Sequence, residues 1–187
     1  MEDSLKEAFG RIHPGWKRIF NSTSKELKYA LSQTMIENTA TAPAVQDIFN
    51  AFIINPEHIK VIIIGQDPYP KDGDAYGFSF AAAPGQRAMP ASLRNIMKVV
   101  YDNDVPKLPD NSLMEWVLQG VMLVNSSLTT VVGKTRAHVS YWTPWVSKML
   151  INFIDSYKGV HFFLWGKDAQ NLIPKNYYVD QILHICG

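Results

Sequence analysis

Two side chains in this sequence have the chemistry of a reaction centre and stand just beyond apolar runs. Asp67 comes shortly after Val61-Ile62-Ile63-Ile64 and is followed by Pro68, which turns the chain out of the run in an extended or turn conformation. A carboxylate there, in a loop with Gln66 and Tyr69, can act as a general base or face developing positive charge. Taken alone, Asp-Pro is more simply the opening of a turn. Asn125 closes the run Val121-Met122-Leu123-Val124; alone, it reads as a loop-capping asparagine. Gly166 and Lys167 follow a third run. None of these residues decides the matter by itself.

The elements that must position them are legible. The runs at 61–64, 121–124, 160–164 and 182–185 are short and rich in β-branched and aromatic residues, and the first three end at turn residues, as buried strands do. Their apolarity is nearly continuous, which predicts parallel strands covered on both faces. Helical spacing appears over 90–101, 111–120 and 143–157. The first opens with Pro90, the second with Asn111 as cap and Gly120 at its close, the third with Thr143 as cap and Pro144 at the first helical position. Further helices are expected at 24–38 and 45–52. Strands alternating with helices predict an α/β domain with a central four-stranded parallel sheet. In such sheets ligands bind beyond the carboxyl ends of the strands, and those ends carry Gln66, Asp67, Asn125, Gly166 and Lys167.

Composition narrows the classes. The chain has 187 residues, 47% hydrophobic and 19% charged, so one domain over 1–187 is expected, burying about 70% of the unfolded chain's surface. That apolar content excludes disorder. A single cysteine, Cys186, excludes an internal disulfide and a cysteine-based zinc cluster, and it reads as inert core. The apolar runs are too short for a membrane span, and the polar start carries no leader pattern, so a soluble intracellular protein is expected. The net charge of +1 argues against a basic coat protein, but not against an enzyme that grips phosphates with main-chain N–H groups.

Longer words give the residues a meaning. Gly65-Gln66-Asp67-Pro68-Tyr69, then Ala75-Tyr76-Gly77-Phe78-Ser79-Phe80, resemble the water-activating and base-pocket segments of the uracil-DNA glycosylases. The segment 89–96, Met89-Pro90-Ala91-Ser92-Leu93-Arg94-Asn95-Ile96, is similar to that family's proline-rich DNA-compressing loop. The segment 121–129, from Val121 through Asn125 to Thr129, is similar to its uracil-reading strand, and 164–170, from Leu164 through Gly166 and Lys167 to Gln170, to its phosphate loop and helix. The matches keep the family's order. The resemblance implies a three-layer α/β/α fold and hydrolysis of the bond between uracil and deoxyribose at the start of base-excision repair, without metal or cofactor. It makes Asp67 the carboxylate that stabilises a sugar cation and activates water. The Gln66 N–H would bind uracil O2, and Asn125 would read O4 and N3. Mismatched hydrogen bonds at such a site reject cytosine by about 10⁴-fold. Tyr69 would exclude the thymine methyl, and Phe80 would stack on the flipped base, a contact of about 1–3 kcal/mol. Pro90, Ala91, Ser92, Gly166 and Lys167 would meet the DNA backbone. Outside the resemblance, Phe80 reads as core, Tyr69 as a turn aromatic, Ser92 as a helix cap, His138 as a surface histidine, and Trp142 and Trp145 as packing.

The sequence departs from the family pattern twice. Where the family places a histidine after the tyrosine, Pro70 stands, a spelling closer to that of large DNA viruses, poxviruses among them. The sequence also stops at Gly187, where the family continues His-Pro-Ser-Pro-Leu and a last helix. Without that loop, loss of one oxyanion donor is expected to cost about 10²–10³ in rate, and loss of the leucine wedge to penalise duplexes more than single strands. The partners expected are uracil-containing DNA of either strandedness, free uracil as product and, beyond these, replication or repair proteins. The protein is expected to be monomeric, in cytoplasm or nucleus and away from membranes. The alternative is a catalytically weak relative that serves as a DNA-binding or processivity component.

Overall fold

The computed structural model describes residues 2–86, 88–104, 111–177 and 182–183. The helices are α1 (Glu2–Gly10), α2 (Lys17–Ser22), α3 (Ser24–Ile36), α4 (Ala91–Val100), α5 (Met114–Leu118), α6 (Val139–Ser156) and α7 (Lys167–Gln170). The strands are β1 (Thr41–Ala42), β2 (Val61–Gly65), β3 (Val121–Asn125), β4 (Thr130–Val131), β5 (His161–Leu164) and β6 (Ile182–Leu183).

β2 lies between β3 and β5, parallel to both, with Gly65 level with Asn125 and Ile64 level with Leu164. Ile182 and Leu183 pair in parallel along the outer edge of β5; the rest of the run expected to reach residue 185 lies outside the described residues, as does Cys186. Connections leave β2 toward β3 and later cross to β5, so a crevice opens at the carboxyl end of β2. The continuous apolarity of the strands has the expected cause. Ile62, Ile64, Met122, Val124, Phe162 and Leu164 face one core with α1, α2, α3 and α6. Ile63 and Leu123 face a second core with α4 and α5.

The larger core is aromatic. Trp16, Phe49, Phe52, Trp142, Trp145 and Phe153 are fully buried, with ring contacts such as Phe20 to Trp145 at 5.3 Å, edge to face. The three indole N–H groups of this core each have a partner: Trp16 donates to the Ile54 carbonyl, Trp142 to Thr129 Oγ1 and Trp145 to Thr23 Oγ1. The packing expectation for Trp142 and Trp145 therefore holds. Among the described residues no helix is long and apolar enough to cross a membrane.

Local chemistry overrides four helix expectations. The segment 45–52 forms two 3₁₀ turns, Val45–Asp47 and Asn50–Phe52, because the Asn50 side chain is drawn to the Tyr76 carbonyl and Asp47. The helix expected from 24 to 38 ends at Ile36. The helix expected from Asn111 begins at Met114, after Leu113 in a left-handed conformation; Asn111 instead donates to the Gln86 carbonyl. α6 begins four residues before Thr143, placing Pro144 inside it. Thr143 caps nothing, and its buried Oγ1 lacks a partner. The proline deprives only the carbonyl of exposed Ser140 of its helical donor.

Trp145 carries the junction of α2, α3 and α6. Trp145→Ala is expected to cost about 3–5 kcal/mol through the cavity it leaves, with the Thr23 hydroxyl also losing its donor. Urea unfolding monitored by far-ultraviolet circular dichroism would measure this; a change below about 1 kcal/mol would show that the aromatic cluster collapses around the gap.

Candidate active site

The carboxyl end of β2 opens into a cavity of about 330 Å³ lined by Gln66, Asp67, Tyr69, Phe80, Ser92 and Asn125, together with Pro68, Pro70, Phe78, Thr135 and Trp165. Six of the ten residues singled out in the sequence thus share one wall-to-wall site. Pro90 and Ala91 begin α4 beside Ser92, and Gly166 and Lys167 begin α7 beside Trp165. A larger cavity, about 660 Å³, lies at the other end of the sheet around Lys60 and Gly120 and gathers none of these residues.

The register of the sheet places the first pair. Asn125 ends β3 directly beside Gly65. The Ser126 N–H donates to the Gly65 carbonyl at 2.9 Å, which fixes the plane of the peptide that carries the Gln66 N–H. The Gln66 carbonyl accepts from Ser127 N–H and from Ser126 Oγ. Asn125 is 5% exposed, and among the described residues nothing hydrogen-bonds its side-chain amide. A buried amide left open to a cavity is costly unless a ligand or water completes it.

Gly65 is a site residue to which the sequence reading gave no role. A Cβ there would lie 2.4 Å from Asn125 Oδ1, 2.8 Å from the Ser79 Cβ and 3.3 Å from the Phe80 ring. The missing side chain is what lets the amide and the ring converge. Its signal was visible, a glycine closing an otherwise aliphatic strand.

Asp67 is half-buried. Its Oδ2 accepts a 2.5 Å hydrogen bond from the Arg136 main-chain N–H. Burial pushes its pKa above the usual aspartate value; the Arg136 N–H, the Arg136 charge and a Gln66 side-chain hydrogen bond pull against this, and Asp168 adds a small push upward. Desolvation therefore outweighs the donors. Among the described residues, no group of three or more His, Cys, Asp or Glu is placed to hold a metal ion.

A short chain of hydroxyls fixes the opposite wall. Tyr69 Oη donates to the Phe80 carbonyl at 2.7 Å and lies 2.8 Å from Ser92 Oγ. The phenol has one proton, so Ser92 is the donor in the second bond. Burial raises the Tyr69 pKa, with the Ser92 hydrogen bond opposing and Asp74 adding to it, so the phenol stays protonated. Ser92 is therefore no helix cap; Pro90 occupies that place, and no side chain caps α4. Phe80 lines the cavity in a left-handed backbone conformation, φ +63°, a strained state for a bulky residue. Its ring meets Trp165 at 5.2 Å, so Phe80 is a wall of the site rather than interior core.

His138 differs most from its surface reading. It is fully buried, with Nδ1 2.9 Å from Thr129 Oγ1, Nε2 3.1 Å from Glu37 and its ring stacked on Tyr141. Glu37 in turn is held below the usual carboxylate range by hydrogen bonds from Tyr141 and His138. Its sequence neighbours, Arg136 and Ala137, gave no sign of burial because the partners come from α3 and β4's approach.

Comparison with known proteins gives this geometry its relatives. A family model described as the uracil DNA glycosylase superfamily matches residues 52–185. A uracil-DNA glycosylase of Xanthomonas campestris pv. campestris is 34% identical over 190 residues, covering 96% of this chain and 77% of that protein. One from Idiomarina loihiensis is 39% identical over 142 residues, covering 74% and 65%. The crystal structure of mimivirus uracil-DNA glycosylase superposes with a TM-score of 0.82 at 25% identity, over 100% of this chain and 72% of that one.

Gly65→Ala is expected to destabilise the fold by about 1–3 kcal/mol, since the methyl must displace Asn125, Ser79 or Phe80. Urea unfolding checks it, with Gly85→Ala as the control, because Gly85 has nothing within 4 Å of an added Cβ but does sit at φ +90°. A Gly65→Ala cost no larger than the control's would mean that the wall yields freely.

Proposed function

The chain belongs to the uracil-DNA glycosylase superfamily, and we propose that the cavity beyond β2 holds the uracil while Asp67 serves the hydrolysis. The protein is a hydrolase of N-glycosyl bonds in uracil-containing DNA, a base-excision repair enzyme. The observation that carries the site reading is the pairing of a buried, unbonded Asn125 amide with a half-buried carboxylate across one 330 Å³ space.

The chemistry follows from that pairing. The bond between C1′ and N1 breaks with its electron pair leaving on uracil, which develops negative charge while the sugar becomes an oxocarbenium-like cation. Asp67, in a site with little water, stabilises the cation electrostatically and accepts a proton from the water that attacks C1′. The Gln66 N–H meets uracil O2. Asn125 donates to O4 and accepts from N3–H, a pattern that cytosine reverses. The Tyr69 ring, held at its hydroxyl by Phe80 and Ser92, excludes a methyl at C5, and Phe80 offers the stacking face. The first turns of α4 and α7, uncapped by side chains, give the N–H groups of Ala91, Ser92, Gly166 and Lys167 to DNA phosphates, with Pro90, which has no N–H, packing beside the backbone. Because the Ser92 proton goes to Tyr69, main-chain donors carry that contact at α4.

The same reading takes the whole of 1–187 as one monomeric domain. Its sheet is completed as a fourth strand by the run that begins at Ile182. A DNA substrate is the support for a place in cytoplasm or nucleus, with free uracil as product and replication or repair proteins as neighbours. Pro70, which has no side-chain donor for a water, favours the second reading, a protein that binds DNA with weak catalysis.

Release of uracil from a single-stranded oligonucleotide separates the two. The wild-type chain is expected to release it, and Asp67→Asn to fall by about 10²–10⁴-fold; DNA binding without release by either would establish the binding reading. Asn125→Asp is expected to lose uracil activity and gain cytosine release; loss of one without gain of the other would weaken the assignment of Asn125.

The raised pKa of Asp67 fixes two signs. Activity should fail on acidification at a pH above the ordinary aspartate range, because the protonated form is inactive. Protonation favours the folded state, so this contribution to stability is full below the unfolded pKa and is lost as pH rises through the folded one. Asp67→Asn should therefore match or exceed the wild type in melting temperature at pH 7, with the difference closing toward pH 4. A less stable variant at pH 7 would show that ionised Asp67 is net stabilising.

A further inference from the structure

We infer that Arg136 and Asp168 are positioning residues for the reaction: their ion pair holds residues 133–138 against α7, so that the Arg136 main-chain N–H fixes the Asp67 carboxylate. The inference rests on Asp67 being the catalytic carboxylate. It concerns two side chains that do not line the cavity.

The geometry converges on one peptide. Arg136 Nη1 and Nη2 both bond to the Asp168 carboxylate, the second at 3.2 Å, in the two-pronged arrangement that fixes a guanidinium in plane. The Arg136 backbone is left-handed, φ +63°, a conformation open to glycine without strain. An arginine here bears that strain while its side chain reaches α7 and its N–H reaches Asp67.

The rest of the loop is already fastened at both ends. β1 and β4 pair at Thr41 and Val131, and the Gly133 N–H donates to the Pro70 carbonyl at 2.8 Å. Thr130 Oγ1 donates to the Lys134 carbonyl and accepts from the Ala137 N–H. His138 is locked by Thr129 and Glu37. Arg136 is left as the joint, and Asp168 is what holds it. The segment from Asp67 to Pro70 is thus gripped twice by this loop, through Asp67 Oδ2 and the Pro70 carbonyl, just where Pro70 supplies no side-chain hydrogen bond.

The charged groups acting on Asp67 are Arg136, from the loop before α6, and Asp168, from α7; Gln66 adds a neutral donor. Their signs separate positioning from simple electrostatics. If Asp168→Asn acted only by removing a negative charge, Asp67 would ionise more easily and the acid limb of activity would move to lower pH. If it frees the Arg136 peptide, Asp67 loses its donor, and the limb moves to higher pH.

The experiment measures uracil release from a single-stranded oligonucleotide between acidic and neutral pH for wild type, Asp168→Asn, Asp168→Glu and Asp67→Asn. For Asp168→Asn the expected result is a kcat lower by about tenfold, as for a reacting group held slightly out of place. KM should be little changed, the acid limb should be higher, and Asp168→Glu should restore both. Thermal unfolding should barely move, because an exposed ion pair contributes little stability. Full kcat, a loss confined to KM, or an acid limb that stays or falls would each overturn the inference. Retained activity in Asp67→Asn would instead overturn the assignment of Asp67, a distinguishable failure.

Discussion

The site depends on how closely β2 and β3 approach where they end. At the level of Gly65 and Asn125 the two strands leave no room for a side chain, and that tight register has three consequences at once. It brings the Asn125 amide into a buried position without a partner. It lets the Phe80 ring lie over the strand end. It also directs the Gly65 to Asp67 peptides, through Ser126 and Ser127, toward the same space. Two cores clamp the sheet from both faces, so this register cannot relax without disturbing the aromatic packing beneath it.

Desolvation is the opposing constraint. A site that excludes water strengthens the attraction between Asp67 and a developing cation, but the same burial disfavours the carboxylate before substrate arrives. The fold counters this with a main-chain N–H rather than a full buried cation. The Arg136 guanidinium, whose charge acts on Asp67, is itself engaged with Asp168. A dipole from a fixed peptide gives direction without neutralising the charge that the reaction uses.

The opposite wall is governed by proton counting. Three oxygens, on Phe80, Tyr69 and Ser92, share two protons, so the direction of each hydrogen bond follows once the carbonyl is recognised as acceptor only. The strained Phe80 backbone is held by this chain and by Ser79, whose N–H donates to the Leu123 carbonyl. Strain of this kind persists only where surrounding structure over-determines it, and here it aims an aromatic ring into the cavity.

The sequence by itself determined the α/β class, the strands around 61–64, 121–124 and 160–164, and the strand ends that carry Gln66, Asp67 and Asn125, because apolar runs and turn residues are local signals. It also determined the family, through ordered words around Asp67, Phe80, Ser92, Asn125 and Gly166. Helix boundaries were less legible, since the Asn50 and Asn111 side chains found distant backbone partners that no window of neighbouring residues contains. Only the tertiary structure decided that His138 is buried, that Ser92 serves Tyr69 rather than a helix end, that Gly65 is a steric necessity and that Arg136 reaches both Asp67 and Asp168. Each of these rests on at least one contact between residues 23 or more positions apart. Such contacts exist only once the sheet has fixed its register and the loops have closed over it.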